Sequence, residues 1–214
     1  MSELLTPKVI SILSAMHSNI QKWYYTRELA KLAKVSTWAV SQQFSKLVDE
    51  GMVLQRAEGR EKYYRLNLAN SKTRKLCELF ETEKKEEFLK KNRKLAWILE
   101  DFKKRISDFV PEVHSIILFG SVARREATIK SDVDVLVLVS NSEEGKFKEV
   151  MGSVDRLANE VSGRYPKKLV PVTMMMKDFE KNFKEQKRFA VDVQEDGIVI
   201  FGQEAYYLML SRVI

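Results

Sequence analysis

Glycine and serine stand side by side at positions 120 and 121, and after ten intervening residues two aspartates follow at 132 and 134. Each residue type suits one part of a phosphate-handling site. Glycine lets the backbone come close to a phosphate, and amides at the start of the helix-prone Val122-Ala-Arg-Arg segment point at it. The Ser121 hydroxyl adds a hydrogen bond to a phosphoryl oxygen. Asp132 and Asp134, two apart at the start of a strand-like run, project on one face. Neighbouring carboxylates repel unless a cation lies between them and a polyanion, and Mg2+ held with a nucleoside triphosphate answers that description. Such an ion orients the α-phosphorus and offsets charge on the departing pyrophosphate.

The elements that must position these residues read as α/β from Pro111 onward. Ser115–Phe119 and Val133–Val139 are apolar strands, and Lys148–Val161 is helical. Lys168–Met175 is a third strand, Asp178–Asp192 is helical, and a short strand at Gly197–Gly202 precedes a terminal helix over Ala205–Arg212. In Val133–Val139 the valines at 133, 135, 137 and 139 face one way, and Leu136 and Leu138 share the aspartates' side.

Gly120-Ser-Val-Ala-Arg124 with Ala127, then Ser131-Asp-Val-Asp134, resembles the DNA polymerase beta-like nucleotidyltransferase superfamily, in particular its minimal prokaryotic type. The resemblance covers about residues 111–202 and implies a small mixed sheet with helices on one side. It also implies that Gly120 and Ser121 hold the triphosphate, while Asp132 and Asp134 bind Mg2+ and are the catalytic carboxylates. Arg124 matches the motif's arginine, in contact with phosphate or bracing the loop. Such families take a third carboxylate, general base and metal ligand, from a later central strand. The matching strand here, Lys168-Leu-Val-Pro-Val-Thr-Met-Met175, contains none. Thr173 cannot act as a base near neutral pH. Asp178 substitutes only if the strand ends early.

The N-terminal part has another texture. Thr6 caps and Pro7 opens a first helix, a second runs over Thr26–Ala33 with Thr26 as its cap, and Val35-Ser36 makes a break. A third helix spans Thr37 to Glu50 and stops at Gly51. Met52–Arg56 and Lys62–Leu66 then flank a Gly59 turn as a β-hairpin. Three helices and a basic hairpin resemble a winged helix-turn-helix. On the third helix Val40, Phe44, Leu47 and Val48 form the buried stripe, leaving Thr37, Trp38, Ser41, Gln42 and Ser45 outward. Thr37, Trp38, Ser41 and Gln42 are expected to meet a duplex in its major groove, with Lys46, Arg56, Arg60 and Lys62 on phosphates.

Between these parts, residues 70–109 hold no proline or glycine and read as one long helix or two helices broken near the polar run 81–87. The fold class expected is α+β: a winged helix-turn-helix domain over 1–70, a helical connector over 71–110, and a nucleotidyltransferase-like mixed-sheet domain over 111–214. The charge supports the division. Lys and Arg exceed Asp and Glu by seven over residues 1–75 and by one over 76–110, and fall one short over 111–214. A basic third joined to a near-neutral half suggests that one part meets a polyanion and the other does something else.

One cysteine excludes a disulfide framework, and two distant histidines do not suggest a metal centre. With no apolar run of membrane length and no leader pattern, the chain is expected to be cytoplasmic and free of the membrane. The expected partners are double-stranded DNA, an NTP with Mg2+, and a second copy in a homodimer, since duplex readers use paired half-sites. The function that follows is a DNA-binding protein that binds Mg-NTP and transfers a nucleoside monophosphate to an acceptor. The alternatives, favoured by the absent third carboxylate, are a nucleotide-sensing transcription regulator without turnover, or an antitoxin-like protein that binds a helical toxin partner.

Overall fold

The computed structural model describes residues 5–214 and is a mixed α+β chain with two sheets. It divides into two compact units, one of residues up to Phe80 with 210–212 and 214, the other of residues 81–209 with 213. The helical stretch 71–110 is therefore shared between them.

In the first unit, helix α1 (Pro7–His17) begins as the sequence indicates: Thr6 accepts from the Val9 amide at 3.3 Å and Pro7 holds the first position. Val9, Ile12, Leu13 and Met16 are its buried stripe. Helix α2 (Thr26–Ala33) departs in one detail. Its N-cap is Tyr25, and Thr26 instead donates its hydroxyl to the Lys62 carbonyl at 2.9 Å, tying the helix to the hairpin. Lys34 takes a left-handed conformation (φ 53°) that closes α2. Helix α3 (Thr37–Asp49) is capped by Ser36, whose hydroxyl accepts from the Ala39 amide. Its end is closed by Gly51 at φ +67°, with the Met52 amide reaching back to the Leu47 carbonyl. That closure needs a residue tolerant of positive φ, which glycine is.

The hairpin, β2 (Val53–Glu58) and β3 (Glu61–Leu66), is longer than its apolar content suggests. Gly59 and Arg60 form a two-residue turn with positive φ at Gly59 alone, the pattern of a type II′ turn. A strand absent from the sequence reading, β1 (Tyr24–Tyr25), pairs with β3 and gives the order β1-β3-β2. Two residues are too short a run to show a strand's period.

Helix α4 (Ser71–Lys91) runs straight through the polar segment 81–87, and the break falls at Asn92 before α5 (Arg93–Phe109). Asn92 leaves helical geometry, and its side-chain amide donates to the Phe88 carbonyl. The Glu and Lys residues of the 81–87 segment are good helix formers and do not break a helix, and Glu81 is not a surface residue. It is 3 % exposed and accepts from the Val199 amide at 2.8 Å and the Tyr207 hydroxyl at 3.2 Å.

The second unit is built on a four-stranded sheet of order β6-β5-β4-β7. Its strands are β4 (Val113–Leu118), β5 (Val133–Val139), β6 (Leu169–Met175) and β7 (Ile198–Phe201). β5 and β6 are parallel and the other pairs antiparallel, so the sheet is mixed. The helices are α6 (Gly120–Ala123), α7 (Glu144–Ser162), α8 (Met176–Lys184), α9 (Arg188–Asp196) and α10 (Gln203–Leu210). Asp178–Asp192, expected as one helical stretch, is thus two helices separated at Gln186, which has positive φ.

The valines of β5 share a core with Phe102 and Ile106 of α5 and Val154 and Val161 of α7. Leu136 and Leu138, on the opposite face, are fully buried as well. There α8 lies against the sheet, where Asn182 approaches the sulfur of Met174, the residue in register with Leu138. Helices cover both faces, against the expectation of one. A central strand apolar on both sides has to be covered twice.

Candidate functional site

Chain direction brings the motif together. β4 ends at Leu118, where antiparallel pairing sets it beside Val135. The Phe119 amide then donates to the Asp134 carbonyl at 3.0 Å, so the turn leaving β4 is fastened to the start of β5. Gly120 follows with φ +72°, and a Cβ built on it would stand 2.6 Å from Asp134 Oδ2. The backbone calls for glycine here, and the carboxylate tip of Asp134 takes up the space a Cβ would use. Ser121, half-buried, is the next residue, in the single turn of α6.

Asp132 immediately precedes β5 and is exposed; Asp134 lies within it and is half-buried. Burial pushes the Asp134 carboxyl up from the ordinary carboxylate value, and the Asp132 charge pushes it further, while Arg124 partly offsets both. The two carboxylates are therefore close enough to repel, a cost that a cation removes.

Arg124 follows the single turn of α6 and is exposed. Its Nε donates to Glu126 at 2.8 Å, and Glu126, Asp196 and Asp192 favour its charged form. The pair with Glu126 lies at the surface, the side chains 39 % and 63 % exposed. Asp192 and Asp196 on α9 were not singled out by the sequence reading, because nothing in a helical stretch marks which sheet end it meets.

A second missed residue is Lys167. Its ammonium donates to the carbonyls of Thr128, Ile129 and Ser131 at 3.2, 3.2 and 2.8 Å. It holds the connection between the Gly-Ser turn and Asp132, which Thr128 and Ser131 close with hydrogen bonds of their own.

The β6 residue beside Asp134 is a valine. β6 runs parallel to β5 with Val170 in register with Asp134, so these side chains share a face on adjacent strands. Asp178 cannot substitute. β6 does not end early but runs to Met175, opposite Val139, and Asp178 lies beyond it, in α8. Five residues of strand separate Asp134 from Val139, about 16 Å. Among the described residues no group of three His, Cys, Asp or Glu side chains is placed to hold a metal ion.

In the first unit the residues expected on a duplex do not all share a surface. Trp38, 70 % exposed, stands outward on α3 with Thr37, Gln42 and Lys46. Ser41 is half-buried and turns toward the buried Tyr64 phenol, whose ionisation burial pushes upward. Arg60 is at the hairpin turn and Lys62 beside it, both exposed. Arg56 differs. It pairs with Tyr63 in register while Lys62 pairs with Ala57, so Arg56 and Lys62 point to opposite faces. The Arg56 guanidinium lies 4.7 Å from the Trp23 ring centre, as does that of Arg65, and it pairs with Glu58 at 3.1 Å. Sequence alone cannot assign a face in a hairpin whose strand limits are uncertain by one residue.

No helix among the described residues is long and apolar enough to cross a membrane. Residues 95–200 match the family model of the nucleotidyltransferase domain. No curated protein matches the chain. Among solved structures, one described as a toxin-antitoxin with AMP-PNP is similar over 54 % of this chain and 82 % of its own, at 18 % identity and a TM-score of 0.37. Another, TrmBL2, an archaeal chromatin protein described as showing a novel mode of DNA binding, is similar over 91 % of this chain and 74 % of its own. Its identity is 13 % and its TM-score 0.27.

Proposed function

We propose that the second unit binds a nucleoside triphosphate together with Mg2+ at the Gly120–Asp134 junction, and that the first unit is a winged helix-turn-helix that binds duplex DNA. The observation that carries the nucleotide site is the 2.6 Å approach that reserves the space beside Asp134 for glycine. It supports one pocket in which Gly120 and Ser121 meet phosphate oxygens and Asp132 and Asp134 hold the ion. The donors fit Mg2+, a hard cation that takes a few carboxylate oxygens and completes its shell from phosphates and water. When bound, that ion neutralises phosphate charge and polarises the α-phosphorus. The protein's own part is to place two carboxylates on one face, keep the turn tight through Gly120, and keep the 128–131 connection closed through Lys167.

Nucleoside monophosphate transfer needs in addition a group that takes the proton of the attacking hydroxyl. Val170, at the register position facing Asp134, has no such capacity. This favours the reading in which the bound nucleotide is sensed and not turned over, the protein acting as a nucleotide-responsive DNA-binding regulator. Duplex contact would come from Trp38, Gln42 and Lys46 on α3 and from Arg60 and Lys62 at the hairpin turn, with Arg56 outside that group.

Titration with a fluorescent ATP analogue tests the site. Saturable binding that requires Mg2+ and weakens at least tenfold in Asp132→Ala is expected; absence of binding overturns the reading. Transfer of label from α-labelled ATP to protein or nucleic acid would overturn the assignment of sensing without turnover. Duplex affinity that falls steeply with salt and weakens in the Arg60→Ala, Lys62→Ala double variant is expected of the first unit. No binding at low salt to any duplex overturns that part.

A further inference from the structure

We propose that Phe189 on α9, braced by Phe119, is the surface on which the base of the nucleotide stacks, a reading that rests on the phosphate site proposed above. The ligand class of that site is thereby a nucleotide with its base, and not a bare polyphosphate. Leu118 pairs with Val135 in antiparallel register, so the next residues, Phe119 and Asp134, stand opposite each other. The Phe119 amide on the Asp134 carbonyl, at 3.0 Å, ties them. Opposed residues of antiparallel strands project to one face, with Cα atoms about 4.5–5.5 Å apart. Phe119 keeps extended backbone geometry, φ −140° and ψ −170°. Its ring therefore leaves the sheet on the side of the Asp134 carboxylate.

Helix α9 comes to the same place by two contacts. The Phe189 ring meets Phe119 edge to face, with centres 5.4 Å apart and planes at 87°. Asp192 and Asp196, three and seven residues further along, share that side of the helix and act electrostatically on Arg124, which closes α6. The Phe189 side of α9 thus lies along the Gly120 turn. Its core side differs: Ala190 and Val193 are buried, while Phe189 and Phe119 both stay half-buried. Edge-to-face packing fixes the orientation of both rings, and Phe119 is joined directly to Gly120. On the other side of Asp134 the same face carries Val170, which has no ring to stack on. From the carboxylate outward, Phe119 and then Phe189 follow in the order in which a sugar and a base follow a phosphate. Stacking on an aromatic ring accepts any base, because every base has a π face.

Calorimetric titration of the full chain compares two ligands with the same phosphate chain, ATP and inorganic tripolyphosphate, each with Mg2+. ATP is expected to bind about tenfold more tightly, the scale of one aromatic–base stack. Phe189→Leu keeps an apolar side chain and removes the ring. It should weaken ATP by about tenfold and shift tripolyphosphate by less than about twofold. Phe189→Trp keeps a ring and reports the stack directly: ATP should quench its emission in excess of the wild-type signal, and tripolyphosphate should not. Equal affinity of the two ligands for the wild-type chain overturns the stacking surface and leaves the phosphate site standing. Binding of neither ligand removes that site and the stacking surface with it. Equal loss of both ligands in Phe189→Leu, or ATP bound to Phe189→Trp without quenching, shows a ring that only supports the turn and overturns the proposal.

Discussion

Gly120→Ala puts the geometry of the phosphate turn to its most direct trial. The new methyl would stand 2.6 Å from Asp134 Oδ2, well inside van der Waals contact, on a backbone at φ +72°. The left-handed conformation costs a residue with a Cβ about 1–2 kcal/mol. The atom met is the tip of the Asp134 side chain, and turning it aside costs a further ~0.5–1.5 kcal/mol, as an off-rotamer χ does. The sum, about 1.5–3.5 kcal/mol, corresponds to a fall of roughly 5–15 °C in the melting temperature of a unit this size. The assay is a double-mutant cycle of thermal or urea unfolding with Asp134→Ala. Removing the carboxylate removes the clash and leaves the conformational part, so Gly120→Ala should cost only about 1–2 kcal/mol in that background. Equal costs in the two backgrounds would show that Gly120 and Asp134 do not touch, and the shared pocket would go with them.

Acid–base behaviour offers a second measurement. Burial raises the pKa of both Asp134 and Glu81, the first helped by Asp132 and the second opposed by Lys84 and two hydrogen-bond donors. A raised folded-state pKa means the folded chain keeps a proton the unfolded chain has lost. Stability should therefore fall as pH rises above about 4, and remain lower once both folded-state values are passed. Asp134→Asn and Glu81→Gln should each flatten that fall in urea titrations between pH 4 and 7; an unchanged slope in both refutes the assignment. Val170→Asp adds a carboxylate about 4.8 Å across the strands from Asp134. It should lower the melting temperature without divalent ion and recover it in Mg2+, and the same pair of melts checks this. Lys167→Met removes three hydrogen bonds to the 128–131 connection. Tryptic cleavage at Lys130 should quicken several-fold while the melting temperature of the first unit stays constant. Ser36→Ala removes the α3 cap and should cost ~1 kcal/mol in unfolding of the first unit.

Much of this was legible along the chain because local rules and tertiary needs agree. Thr6-Pro7 opens α1, Gly51 closes α3, and the seven residues Val133–Val139 are a strand from end to end. Where a residue's behaviour depends on what lies across from it, the pattern misled. Glu81 sits in an all-polar run that reads as a break, yet it is buried because a backbone amide and a tyrosine hydroxyl await it. Thr26 reads as a cap and serves as a tie to the hairpin, and Arg56 reads with Lys62 and faces away from it. Lys167 and Asp192 carry no signal, since their roles depend on a loop and a sheet end more than twenty residues away.

The order of residues by itself determined the Gly-Ser turn, the Asp-x-Asp spacing and the absence of an acid in the third strand, because spacing along a strand sets which side chains share a face. Only the tertiary structure decided that β6 lies parallel to β5 in the register that sets Val170 against Asp134. Register between strands distant in the chain is chosen by how two apolar faces are buried together, and no local pattern contains that choice.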